Sequence, residues 1–227
     1  MTDVETRSDG LPILYSFRRC PYAMRARMAL SKSQTVCALR EVLLRDKPAE
    51  MMVASSKGTV PVIVLSDGTI IDESIDVMLW SLGKSDPDGW LQPQRGTLDD
   101  MMALISEADG PFKTHLDRYK YGTRYPGEQA LDHRAAGLVF LQQLDTILAA
   151  SSYLFGDRPA LADIAIFPFV RQFANTDRDW FDALSLPALQ AWLAGWLGSD
   201  LFKGIMQKWP VWQTGDTEPL FPQKDAA

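Results

Sequence analysis

The chain predicts two folds in series, an α/β sheet unit followed by an all-α unit. Three observations carry this. Up to Leu82, short apolar runs alternate with segments of helical period. From Gly83 to Gly96 the pattern stops in a stretch holding Pro87, Pro93, Gly89 and two aspartates, Asp86 and Asp88. Beyond it the patterned segments all have the helical period, and no convincing strand follows.

In order, residues 11–17 (Leu-Pro-Ile-Leu-Tyr-Ser-Phe) read as a short buried strand. Residues 21–32 read as a helix with Tyr22, Ala26, Ala29 and Leu30 on one face, and Arg25 and Lys32 off it. Residues 36–44 are apolar and partly alternating, a second strand, and 48–56 form a short helix entered through Lys47-Pro48. Two apolar runs, 60–65 and 69–71, flank Ser66-Asp67-Gly68, a hairpin signal. A helix then spans 73–82, with Ile75, Met78, Leu79 and Leu82 at i, i+3, i+4 and i+7. The order is β-α-β-α-β-β-α.

Helical patterning returns at 98–121, 129–150, 161–173, 187–197 and 200–208, with Gly110-Pro111 kinking or breaking the first. The expected organisation is a sheet domain at 1–83, a linker at 84–96 and a helical domain at 97–227. The polar tail after Trp212 is expected to be irregular.

At 227 residues, with 46% hydrophobic and 23% charged residues, the chain has the make-up of a globular protein able to bury a real core. A net charge of −6 argues against nucleic acid, which demands a cationic face, and Arg18-Arg19 with Arg25 and Arg27 are too few to form one. The N-terminal ten residues are polar, unlike a signal peptide, and no apolar run approaches the ~18 residues of a membrane span. Two cysteines are no disulfide framework. A cytoplasmic location, with no membrane partner, is the expectation.

Cys20 is the best candidate for a reactive atom. It stands between a strand and a helix, and Pro21 suits the first helical position because its φ is preset and it has no N–H to lose. A helix N-terminus stabilises a thiolate, and Arg18 and Arg19 add positive charge. The alternative is that Cys20 is a small buried hydrophobe. Ala23 stands where a Cys-x-x-Cys pair would have its second cysteine, so redox chemistry at Cys20 would be monothiol.

Pro61 cannot donate to a sheet ladder. It is either an edge-strand proline or a cis-proline that turns Val60 outward toward an extended, peptide-like ligand. Asp72-Glu73-Ser74, opening the next helix, are either capping groups or the site of an α-amino acid head, with Ser74 on the carboxylate and Glu73 on the ammonium. His115 and His133 are the only histidines, and no His or Cys pair has metal-ligand spacing, so no metal is expected.

These motifs together resemble the glutathione S-transferase superfamily. Residues 11–82 resemble its thioredoxin-like N-terminal domain, and the helical remainder resembles its C-terminal domain. Cys20-Pro21-Tyr22-Ala23 resembles the signature of the cysteine-type, omega-like bacterial branch; Val60-Pro61 resembles the cis-proline element and Glu73-Ser74 the γ-glutamyl-binding pair. Lys47 matches the lysine that approaches the glycine end of glutathione. Pro159 to Ala165 resembles the family's capping box, but Ala160 stands where Ser or Thr usually does. That leaves Asp163 to bond back to the Ala160 N–H.

The resemblance implies glutathione as co-substrate, a homodimer, and a small hydrophobic or disulfide-containing second substrate. Phe17, Tyr22, Phe112, His115 and Tyr119 are candidates to line the second-substrate pocket, although buried aromatics are core by default. It implies thiol transfer through a Cys20 thiolate. The alternatives are conjugation of electrophiles, for which Ser16 or Tyr15 would be weak substitutes, and a non-enzymatic stress-response or partner-binding role.

Overall fold

A computed structural model describes Val4 to Gln223; residues 1–3 and 224–227, which the expected domain ranges include, lie outside the described residues. The first unit holds a mixed sheet of order β4-β3-β1-β2-β5. β1 (Ile13–Ser16) pairs parallel with β2 (Cys37–Glu41), and β1 antiparallel with β3 (Val62–Val64). β3 turns back into β4 (Ile70–Ile71) through the expected hairpin, where Asp67 accepts the Thr69 N–H at 2.9 Å and Gly68 takes a φ of 84° that favours glycine.

Three helices interleave with these strands: α1 (Pro21–Lys32), α2 (Ala49–Ala54) and α3 (Ser74–Lys84). α1 begins where Pro21 allows, at the first helical position, with Cys20 as its extended N-cap. It is not the one-faced helix its pattern predicts. Arg25, expected off the apolar face, is buried, and so are Met24, Arg27 and Met28. α1 packs on α3 and also on α10 (Asp200–Ile205), so a second face is covered. Burying each of its apolar side chains contributes roughly 1.5–3 kcal/mol.

The tail departs from expectation. β5 (Leu220–Phe221) pairs antiparallel with Cys37 and Ala38 on the outer edge of β2, and the Trp212 N–H donates to the Glu41 carbonyl at 2.8 Å. By contact, the chain divides into residues up to Pro87 together with those from Asp200 onward, and the segment Asp88–Ser199. The expected helical domain at 97–227 therefore loses its last stretch to the sheet unit. An open strand edge is a liability, and covering it is the physical reason the tail returns. Two residues in a polar context gave no period to read.

The second unit is helical. α4 (Leu98–Glu107) opens on a capping box between Thr97 and Asp100. Gly110 and Pro111 do not break the helix but force a π-helical turn over Ala108–Phe112, after which α5 (Lys113–Lys120) continues. Then come α6 (Ala130–Leu148), α7 (Leu161–Ala174), the unforeseen short α8 (Arg178–Asp182) and α9 (Pro187–Gly198). The expected linker is irregular, but from Asp88 it belongs to this unit. Trp90 is buried there, and its carbonyl accepts the Leu161 N–H at 2.9 Å.

Asp163 anchors α7. Its carboxylate accepts the Ala160 N–H at 3.0 Å, the Leu154 N–H at 3.0 Å and the Trp192 indole N–H at 2.9 Å. Lacking a side-chain acceptor at residue 160, the Asp163 N–H bonds the Ala160 carbonyl instead. Burial pushes the Asp163 carboxyl up to about 6, against the pull of those three donors. Its folded value lies above the unfolded one, so the folded state binds the proton more tightly. That stabilisation is complete below about pH 4 and is lost as pH rises through about 6, an effect on the order of 3 kcal/mol. Asp163→Ala should cost about 3 kcal/mol at pH 7 by orphaning buried donors. Denaturant titrations should show the gap between wild type and variant widening from pH 6 to pH 4; a pH-independent gap would contradict the assignment.

Candidate functional site

The candidate residues of the first unit gather at the carboxyl ends of β1 and β2, where α/β sheets bind ligands. Residues Phe17 to Cys20 form a turn closed by the Cys20 N–H on the Phe17 carbonyl at 3.0 Å. Cys20 has φ −75° and ψ 123°, and its side chain caps none of the first-turn amides of α1. The sulfur is partly exposed and lies 3.6 Å from the Val60 carbonyl oxygen. Cys20 and Val60 thus meet across the sheet unit, and the Val60–Pro61 peptide bond is cis.

Lys47 reaches the same stretch from the other side. Gly58 has a φ of 60°, and a Cβ there would stand 2.9 Å from the Lys47 Nζ, so the ammonium lies against the backbone two residues before Val60. Any side chain at position 58 would be strained and would displace it.

Glu73 is the N-cap of α3, and Ser74 is its first residue. The Arg25 Nε donates to the Ser74 Oγ at 3.0 Å, which leaves the Ser74 hydroxyl proton to point at another acceptor. With the α3 N-terminus and the Arg25 guanidinium, that hydroxyl makes an anion-binding corner. Glu73 is exposed and pairs with the Lys57 Nζ at 2.6 Å, while Lys57 also holds Asp72 at 3.1 Å. A hydrogen bond from Ser55, at 2.7 Å, holds the Asp72 carboxyl below its usual range.

Arg25, Ser55 and Lys57 escaped the sequence reading. Arg25 carried a usable signal: it lies five residues after Cys20 on α1, where an arginine can reach a neighbouring helix start. Phe17 and Tyr22, beside Cys20, are half-buried. The Arg19 guanidinium lies 5.6 Å from the Phe17 ring and that of Arg25 lies 5.0 Å from the Tyr22 ring.

The helical-unit candidates have different surroundings. Phe112 is buried in that unit's core, its ring 4.8 Å from Phe140 and 5.6 Å from Phe173. Tyr119 is nearly buried against Phe173, at 5.2 Å. His115 meets His133 through their Nδ1 atoms at 2.9 Å, and the His133 Nε2 lies 2.7 Å from Glu128. Burial and the neighbouring His133 hold the His115 imidazole below its ordinary value. Among the described residues, no cluster of three or more His, Cys, Asp or Glu side chains is placed to share a metal ion, and no helix is long and apolar enough to cross a membrane.

The hydroxyls nearest the turn are already engaged. The Ser16 Oγ is buried and accepts from the Arg27 Nη1 at 2.6 Å. The Tyr15 OH accepts from the Arg40 Nη1 at 2.6 Å, and burial pushes its phenol up to about 12. Cys37, the first residue of β2, is likewise pushed up to about 12 by burial.

No curated protein matches the chain. Among solved structures, it is similar to a glutathione transferase family member from Pseudomonas fluorescens with two glutathione bound, at 16% identity and a TM-score of 0.77, covering 94% of this chain and 96% of that one. It is also similar to a glutathione transferase from Pseudomonas putida with one glutathione disulfide bound per subunit, at 18% identity and a TM-score of 0.75, covering 89% and 93%. A Phanerochaete chrysosporium glutathione transferase in complex with oxidised glutathione matches at 15% identity and a TM-score of 0.75, covering 88% and 96%. These likenesses establish the fold. The family models for the glutathione S-transferase N-terminal and C-terminal domains match residues 14–87 and 129–195 in that order, and the chain belongs to the glutathione S-transferase superfamily.

Proposed function

We propose that this chain is a cysteine-type glutathione transferase that reduces glutathione mixed disulfides through Cys20. The observation that carries the reading is the position of Cys20: partly exposed, at the N-cap of α1. The backbone amides of the first turn favour the thiolate there. Membership of the superfamily supports glutathione as co-substrate, as do structural neighbours crystallised with glutathione or its disulfide.

In this reading, glutathione lies extended past Val60-Pro61. Its γ-glutamyl carboxylate takes the Ser74 hydroxyl and the α3 N-terminus, its ammonium meets Glu73 in competition with Lys57, and its glycine end meets Lys47. The Cys20 thiolate attacks the glutathione sulfur of a mixed disulfide. The disulfide bond breaks, the freed substrate thiolate takes a proton, and Cys20 is left bonded to glutathione. A second glutathione thiolate attacks that glutathionyl sulfur, releasing glutathione disulfide and restoring the Cys20 thiolate. With Ala23 standing where a second cysteine would be and Cys37 buried, the resolving thiol comes from solution.

Conjugation asks for a hydroxyl beside glutathione's own thiol, and the Tyr15 and Ser16 hydroxyls already accept from buried arginines. That weighs toward thiol transfer. We also propose a homodimer, on family membership, and a cytoplasmic location, where reduced glutathione is abundant enough to regenerate the enzyme.

Cys20→Ser should abolish reduction of a glutathione mixed disulfide, lowering kcat/KM by a hundredfold or more, on the order of a lost nucleophile. Retained reduction would overturn the reading, and a gain of activity on aryl halides would mark the conjugating branch as the nearer chemistry. Ser74→Ala should raise KM for glutathione by about tenfold, the worth of one charge-assisted hydrogen bond, while leaving the pH dependence of Cys20 alkylation in place. Steady-state kinetics at varied glutathione, with iodoacetamide titration in parallel, separates the two effects.

A further inference from the structure

The turn that presents Cys20 is gripped by two buried residues of opposite charge, Arg27 and Glu41. Arg18, the second residue of that turn, has both backbone groups taken: its N–H donates to the Glu41 Oε1 at 2.6 Å, and its carbonyl accepts from the Arg27 Nη2 at 2.7 Å. The Arg27 Nη1 is spent on the Ser16 Oγ. Ser16 and Glu41 are register partners at the ends of β1 and β2, so the grip ties the turn to the last rung of the parallel pair. Ser16, Arg27 and Glu41 are all nearly inaccessible, at 0%, 2% and 6% exposed.

Stability alone is a poor account of this pair. Buried charges are commonly no more stabilising than well-packed apolar residues, and these two are incompletely satisfied. The Arg27 Nε and the Glu41 Oε2 are buried without hydrogen-bond partners. Orphaned polar atoms in a native core call for another reason to be there.

The geometry points to Arg27 and Glu41 as positioning residues for the Cys20 thiolate: they fix its turn through the Arg18 backbone, and their opposed charges set how readily the sulfur ionises. The charged and titratable groups that face Arg27 are Glu41 from β2, Cys20 at the start of α1, and Arg18 in the turn. Burial pulls the Arg27 guanidinium down to about 10, and the negative charges of Glu41 and of a Cys20 thiolate act in the opposite direction. Burial, likewise, pushes the Glu41 carboxyl up. Arg27 therefore gains from a thiolate at Cys20, whereas Glu41 competes for the same cation. The inference rests on Cys20 being the reacting thiol.

The test is the rate of iodoacetamide alkylation against pH, read on the intact chain; Cys37 is silent because it is buried with its thiol held protonated. Arg27→Met should move the alkylation midpoint up, with about tenfold less thiolate at neutral pH. Glu41→Gln should move it down, because glutamine can still accept from the Arg18 N–H while removing the competing charge. Arg27→Lys should keep the midpoint near that of wild type yet lose about tenfold in kcat for mixed-disulfide reduction, since one ammonium replaces a planar fork that spans Ser16 and Arg18.

A merely structural pair would shift Arg27→Met and Glu41→Gln in the same direction or not at all, and either result overturns the inference. Should circular dichroism show Arg27→Met unfolded, a Glu41→Gln midpoint at or above the wild-type one overturns it equally. Alkylation requires no glutathione, so the two readings fail separately. Diverging midpoints in a chain that transfers no thiols would sink the proposed function alone. Thiol transfer with coincident midpoints would sink this inference alone.

Discussion

The sheet unit is organised by the need to satisfy three buried arginines. Arg25, Arg27 and Arg40 are each 2% exposed, and an unsatisfied guanidinium in a protein interior costs several kcal/mol. Each is met by a different part of the chain. Arg25 joins α1 to the start of α3 through Ser74; Arg27 joins α1 to the turn before it and, through Ser16, to the end of β1. Arg40 gathers Tyr15 of β1, Glu5 from the N-terminal segment and Glu218 from the tail, with its guanidinium 4.0 Å from the Trp212 ring. The fixed, five-donor fork of arginine suits these multi-partner roles, and lysine could fill none of them.

That constraint also decides which groups remain for chemistry. The hydroxyls of Tyr15, Ser16 and Ser74 all accept from a buried arginine. For Ser74 this is compatible with ligand binding, because its proton is still available to an anion at the α3 N-terminus. All three are buried, but Tyr15 and Ser16 lie within a strand and not, like Ser74, at a helix start. Cys20, by contrast, is partly exposed, in the turn that follows β1. Structural neutralisation and catalytic exposure are thus two sides of one arrangement.

Much of this was readable before any coordinates. The alternation of strand and helix, the Asp67-Gly68 hairpin and the Pro21 helix start each rest on local chemistry, and each appears where the pattern put it, with the strands trimmed by a few residues. Cys20, Val60 and Ser74 were legible for the same reason: turn, proline and cap residues mark backbone positions directly. The buried arginines were not. Arg25 and Arg27 look like surface charges in a sequence, because their burial depends on partners the fold brings to them, Ser74 for Arg25 and Ser16 with the Arg18 carbonyl for Arg27. β5 failed similarly, since a two-residue strand has no period and is specified only by the edge it covers. Lys57, which competes for Glu73, looks like any exposed lysine until the fold brings it there.

The two cysteines show how far placement, and not residue type, determines reactivity. Cys37 is the first residue of β2, with its backbone paired to β5 and its sulfur enclosed, 3.8 Å from the Thr35 carbonyl. The pull of Lys84 is too weak to offset burial, so the thiol stays protonated. Cys20 belongs to the same sheet unit, but it closes the turn that follows the last strand rung. The ladder has ended there, and helix amides face outward with no side chain capping them. A strand-to-helix junction is where backbone donors are left over by the geometry of both elements, and a sulfur set there meets positive potential without any charged side chain being added.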